Sequence, residues 1–210
     1  MFDIAASGPL LGSIASLGAL VVGSQLTLST DPSLLPSLPV DILRQSMLGG
    51  GIVDTIIKGS LYVPDGAPSA DLMVSLHPLA VAGYISLIVN ALAMLPVGSK
   101  YRASSIQILC NFFSHFYSTK ISSATDGGRV ALTIFGRNPK IVLGWVTMLA
   151  LLIAGILGSD LFLFYFSFVI AFQTGNEVPA RNEIDEIGLS RVAVGAVTFA
   201  LAFLTLIPIQ

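Results

Sequence analysis

Long uncharged apolar runs alternate with short polar, proline-rich stretches along this chain. From Ile4 to about Leu26 there is no charge, and Asp3 and Asp31 bound the run. Roughly 20 apolar residues cross a bilayer's hydrocarbon, so it is long enough to span. Gly8, Gly12, Ser16 and Leu20 recur every fourth residue, and Gly8-x-x-x-Gly12 would admit a second helix at close range, as a general packing face or as a dimer motif. A second run extends from about His77 to Pro96. The third, from Ile141 to about Gly158, opens after Pro139 and carries Trp145 near its entry, where an interfacial anchor belongs. Asp160 allows a tight turn into Leu161 to about Gln173, a Phe-rich segment short for a full crossing. The fifth follows Arg191, from Val192 to about Ile207, and Pro208 closes it.

The connectors differ in kind. Residues 27–75 are punctuated by Pro32, Pro36, Pro39, Pro64 and Pro68, with apolar pairs at roughly helical spacing among Asp41, Arg44, Asp54 and Lys58. That pattern predicts two short amphipathic helices hinged at Gly49-Gly50-Gly51. Such a connector either lies on the membrane or covers a site within it, or it is simply solvated. Residues 100–125 change abruptly to a Ser-rich composition with Phe112, Phe113, Phe116 and Tyr117, which reads as an insertion. A translated, unspliced intron accounts for it: Lys100-Tyr101 can be encoded with a GT donor, and Ile121 to Ala124 by a pyrimidine-rich run ending in AG. Cys110 and His115 inside it are two ligand types five apart without partners, too few for a metal site. Glu177, Arg181, Glu183, Asp185 and Glu186 read as a solvated loop.

Composition sets the class. Hydrophobic residues make up 54%, charged residues 10%, and the mean hydropathy is +0.85, whereas soluble domains carry about 25% charged residues. The expectation is an all-α integral membrane protein of about five transmembrane or near-transmembrane helices, with the lipid bilayer as its first partner. The net charge of -2 and the lack of a basic stripe give no reason to expect a nucleic-acid partner. Cys110 is the one cysteine, so no intramolecular disulfide forms. No basic n-region precedes the first run, so any targeting sequence is expected upstream or is missing. Lys100, Arg102, Lys120, Arg129, Arg137 and Lys140 make residues 97–140 the most basic connector, which assigns them to the cytoplasm-equivalent side.

Three polar residues stand out. Asn90 lies within the second run, and its amide needs a partner once buried in a membrane. Pro96 breaks that run, and Asp126-Gly127-Gly128-Arg129 sets one carboxylate before two glycines. A lone acid at membrane depth marks a functional site by default, although a capping aspartate before a helix starting near Gly128 is the plainer alternative. His77, beside Pro78 at a helix start, reads as a cap.

Read across the interruption, Asn90-Ala-Leu-Ala-Met-Leu-Pro96-Val-Gly-Ser99 followed by Asp126-Gly-Gly-Arg129 resembles the third-ligand motif of the site-2 protease family of intramembrane zinc metalloproteases. Phe2-Asp-Ile-Ala-Ala-Ser-Gly-Pro9-Leu, His77-Pro-Leu and Phe135-Gly-Arg-Asn138 bring it closer to the plastid branch, the ethylene-dependent gravitropism-deficient and yellow-green (EGY) family of plants and cyanobacteria. The resemblance implies a discontinuous helix at the DGG motif, Asp126 as a zinc ligand, and Asn90 near the cleft, holding substrate or supporting the metal. It also implies hydrolysis of a peptide bond in a transmembrane substrate, and a chloroplast membrane, thylakoid or envelope. Family members complete the zinc site with two histidines and a glutamate base from an HExxH helix. His77 and His115 are the only histidines here and neither begins that motif. Residues 1–210 are therefore expected to be the C-terminal part of such a domain or a non-catalytic homologue, binding no zinc and inactive without an N-terminal half. The alternative is a membrane scaffold or chaperone-like protein that binds transmembrane helices without cleaving them.

Overall fold

A computed structural model describes residues 2–62, 72–97, 125–172 and 188–209, and of Arg137 and Asn138 the backbone alone. Most of the segment read as an insertion, with Cys110 and His115, lies outside the described residues, as does the acidic loop after the fourth apolar run. Among the described residues the architecture is predominantly helical. In chain order the helices are α1 (Phe2–Ser29), α2 (Val40–Arg44), α3 (Met47–Ile56), α4 (Pro78–Ala93), α5 (Asp126–Phe135), α6 (Arg137–Ile156), α7 (Asp160–Phe172) and α8 (Leu189–Leu206). Three are long and apolar enough to cross a membrane: α1, α6 over Pro139–Ile156, and α8. The 16 residues of α4 and the 13 of α7 reach only about 24 and 20 Å at 1.5 Å per residue. Each falls short of the roughly 30 Å of hydrocarbon.

The chain divides into two compact units, Ala6–Met94 with Ala193–Gln210, and Leu95–Val192 with Met1–Ala5. In the first, α1 and α4 meet backbone to backbone. A Cβ on Gly83 would sit 2.5 Å from Leu20 N and 2.8 Å from Ser16 O, and one on Gly23 would collide with the Ala80 backbone. The small-residue stripe therefore does its work at Gly12, Ser16 and Gly23, while Gly8 has nothing within 4 Å. Close approach through small residues is how helices gain contact where lipid supplies no hydrophobic drive.

The connector departs from its expected form in two ways. The glycine triplet is not a hinge: α3 runs through it, and the break falls at Gln45-Ser46, where Ser46 caps α3 by accepting from Gly49 N at 2.9 Å. Packing overrides glycine's low helix propensity. A Cβ on Gly49 would lie 2.9 Å from the Tyr84 ring, and one on Gly50 would strike the Leu43 carbonyl. The Tyr84 hydroxyl meanwhile donates to Ile42 O. The second departure is a short antiparallel ladder, β1 (Ser37–Pro39) against β2 (Met73–Ser75), an exception to the all-α expectation. Prolines at 36 and 39 push their predecessors into extended conformation, which favours this strand over a helix. Past α8, Ile209 N donates to Arg44 O at 2.7 Å and Met47 N to Ile207 O at 2.6 Å, pairing backbone on either side of the α2–α3 break.

In the second unit α6 and α7 form a helical hairpin. Gly158, at φ +111°, makes the turn, a conformation that suits glycine because it has no Cβ. A Cβ on Gly155 would lie 3.0 Å from Leu163, so the two helices nearly touch there. Val142, Trp145, Val146, Leu149, Ile153 and Ile156 form an exposed apolar stripe on α6, as a lipid-facing helix requires. Arg191 pairs with Asp3 at 3.0 Å, joining the first turns of α8 and α1.

Candidate functional site

Asp126 belongs to the second unit and Asn90 to the first. Asp126 is the first residue of α5 and is half-buried, and its carboxylate forms no hydrogen bond or ion pair among the described residues. It is not the cap. That role falls one residue earlier, to Thr125, whose Oγ1 accepts from Gly128 N at 3.0 Å. Asp126 instead stands in the first turn, where the helix dipole favours negative charge.

Thr125 does more than cap. Its Oγ1 also accepts from Val97 N at 3.2 Å, and its single proton is shared between Leu95 O at 2.6 Å and Val97 O at 2.8 Å. The Thr125 N–H donates to Val97 O at 3.3 Å. Pro96 ends the preceding helical run and frees these backbone groups, and one buried side chain from across the interruption takes them up. Freed groups at membrane depth need such protein partners. Gly128 completes the junction, since a Cβ there would lie 2.7 Å from Val97 O. The two halves of the motif are thus sewn together although 27 residues (98–124) separate them in sequence.

Asn90 stands on the face of α4 turned to α1. Its Nδ2 donates to Ser86 O at 2.8 Å, with the hydroxyls of Ser16 and Ser86 each 3.4 Å away. Ser16 and Ser86 are themselves 2.8 Å apart. The amide therefore makes an interhelical contact, as the simpler reading of the sequence has it. Nothing in the motif pointed to Ser16, Ser86 or Thr125. Ser86 lies one turn before Asn90 on an apolar helix, and that i, i+4 polar pair was the available signal.

His77 caps α4: its Nδ1 accepts from Leu79 N at 3.2 Å, and its backbone N–H donates to Thr27 Oγ1 at 2.9 Å. Lys140, read from sequence as part of a basic connector, is buried at 3% exposure. Among the described residues no three His, Cys, Asp or Glu side chains gather as a metal ion requires. A zinc site needs three or four such ligands, so this donor set does not fit a resident zinc.

Comparison with known proteins gives a consistent direction. Probable zinc metalloprotease EGY1, chloroplastic, is 30% identical over 208 residues in Arabidopsis thaliana and 32% identical over 212 in Oryza sativa subsp. japonica. These alignments cover 99% and 100% of this chain but 32% and 31% of the relatives. Probable zinc metallopeptidase EGY3, chloroplastic, of A. thaliana is 34% identical over 135 residues, covering 64% of the chain and 19% of that protein. The chain thus spans about a third of the length of the EGY1 proteins. No protein-family profile matches it, and no solved structure does.

Proposed function

We propose, from the chain's homology to the EGY zinc metalloproteases of the site-2 protease clan, that it carries the aspartate-bearing, broken-helix part of such a domain in a plastid membrane, thylakoid or envelope. Asp126 is the corner this chain contributes to a zinc site, and Asn90 belongs to the wall of the cleft that takes a transmembrane substrate. By itself the chain does not cleave. The observation that carries the reading is the Thr125 hydroxyl, which rejoins Leu95 and Val97 to the first turn of the Asp126 helix. That arrangement has value where the Asp126 backbone must be held still.

Zinc in the family supplies a water of lowered pKa and a polarised carbonyl. The residues described here hold no such ion, so no step of that reaction is assigned to them. What they do is position: Thr125 holds the break, the α5 N-terminus favours the ionised carboxylate of Asp126, and α1 and α4 present a polar cluster between apolar faces. Residues 100–125 are an insertion into this motif.

A second reading is a scaffold that holds apolar helices without cutting them. The Ser16, Ser86 and Asn90 cluster favours it, being a membrane-depth polar group with no metal partner among the described residues. Zinc content of the purified chain, with cleavage of a reporter transmembrane substrate and Asp126→Ala as control, tests the non-cleaving assignment. The expected result is no stoichiometric zinc and no cleavage. Bound zinc with Asp126-dependent cleavage would refute it.

A further inference from the structure

We propose that Gly12, Ser16 and Ser86 are positioning residues that fix the sense of the Asn90 carboxamide, leaving its carbonyl oxygen as the acceptor for a backbone N–H of a bound, locally unwound apolar segment. The inference rests on the helix-holding reading above. A carboxamide can be turned either way, and Ser86 O decides it. A carbonyl oxygen only accepts, so the group 2.8 Å from it must be the N–H-bearing end. The other N–H is aimed at the Ser16 and Ser86 hydroxyl oxygens, both at 3.4 Å. With both donors directed inward, Oδ1 falls on the Gly12 side, where a Cβ would stand 2.5 Å from it.

Glycine at position 12 therefore keeps open the space that the acceptor occupies. Oδ1 receives no hydrogen bond among the described residues, yet it is not a shut-in atom, since the buried unpaired side-chain polar atom there is Arg44 Nε. A reachable acceptor without a donor is costly where lipid tails offer none. An intact guest helix offers no donor from its interior, because its N–H groups are paired internally. A guest interrupted partway along frees N–H groups, and that interruption is the chemical feature this site selects.

The test uses the full chain in detergent micelles and two fluorescent apolar peptides of about 20 residues, identical except for a central Gly-Gly or Leu-Leu. The wild type is expected to bind the Gly-Gly peptide roughly three- to tenfold more tightly, the worth of one hydrogen bond. Gly12→Ala displaces only the tip of the Asn90 side chain, so helicity and melting stay put while the preference disappears. Ser16→Ala combined with Ser86→Ala loses it too. Ser24→Ala, which deletes a buried α1 hydroxyl bonded to Leu20 O at 2.7 Å, retains it. Preference that persists in Gly12→Ala and in the double variant overturns the proposal. Equal binding of both peptides by the wild type also overturns it but leaves the helix-holding reading standing, whereas binding of neither peptide overturns both.

Discussion

Replacing Thr125 by Val keeps shape and volume while removing the hydroxyl that holds the broken helix together. The variant loses an N-cap, which costs about 0.5–2 kcal/mol. It also leaves the Val97 N–H without its acceptor at a residue 1% exposed, and a buried unsatisfied donor costs about 1–3 kcal/mol. The backbone bond from Thr125 N to Val97 O survives, so the junction is weakened rather than abolished. Side-chain hydrogen bonds inside membrane proteins are worth about 0.6 kcal/mol on average, because the unfolded chain in the micelle finds partners too. The lower ends of these ranges are therefore the relevant ones, and a loss of about 2 kcal/mol is expected. Trp145, the one tryptophan, lies in the same unit as Thr125. Its fluorescence during SDS titration in mixed micelles follows that unit, with circular dichroism reporting the whole chain. Thr125→Ser keeps the oxygen and should stay within about 0.5 kcal/mol of wild type. A Thr125→Val protein as stable as wild type, or a serine variant as weak as the valine one, would show that the hydroxyl does not secure the break.

Further expectations follow from the glycines and the interruption. Gly51→Ala, with nothing within 4 Å of the new methyl, should stabilise α3 by about 0.5–1 kcal/mol. Gly50→Ala, directed at the Leu43 carbonyl, and Gly83→Ala, 2.5 Å from Leu20 N, should each cost about 1–3 kcal/mol by overpacking; matched denaturation curves decide, and equal effects at positions 50 and 51 would contradict the packing described. Deleting residues 100–124 makes Val97-Gly98-Ser99-Thr125 contiguous, and the existing 3.3 Å bond from Thr125 N to Val97 O becomes the closing bond of a four-residue turn. That deletion variant should fold with stability within about 1 kcal/mol of the parent, and transcript reads should join Ser99 to the DGG exon. A variant that cannot be refolded, or an insertion present in the dominant mature transcript, would count against the insertion reading.

The membrane class and the five apolar segments were legible in the chain because a bilayer imposes a length and a composition that local sequence must meet. The Pro96 break and the Asp126 turn were legible for a similar reason: a proline cannot continue a helix, and an aspartate before two glycines suits a helix start. What joins them was not, because Thr125 gains its meaning from Val97 and Leu95, brought to it by a path 27 residues long. The glycine triplet misled for the same reason, since propensity points to a hinge while the Tyr84 ring and the Leu43 carbonyl require residues without side chains. The β1–β2 ladder joins residues more than 30 positions apart, and only folding selects that register. Asn90 shows the division most clearly. Its need for a partner is a property of an amide in lipid, readable from one run of letters. Which partners it has, and which way its carbonyl points, were decided by the α1 backbone lying close enough for Ser16 and Gly12 to meet it.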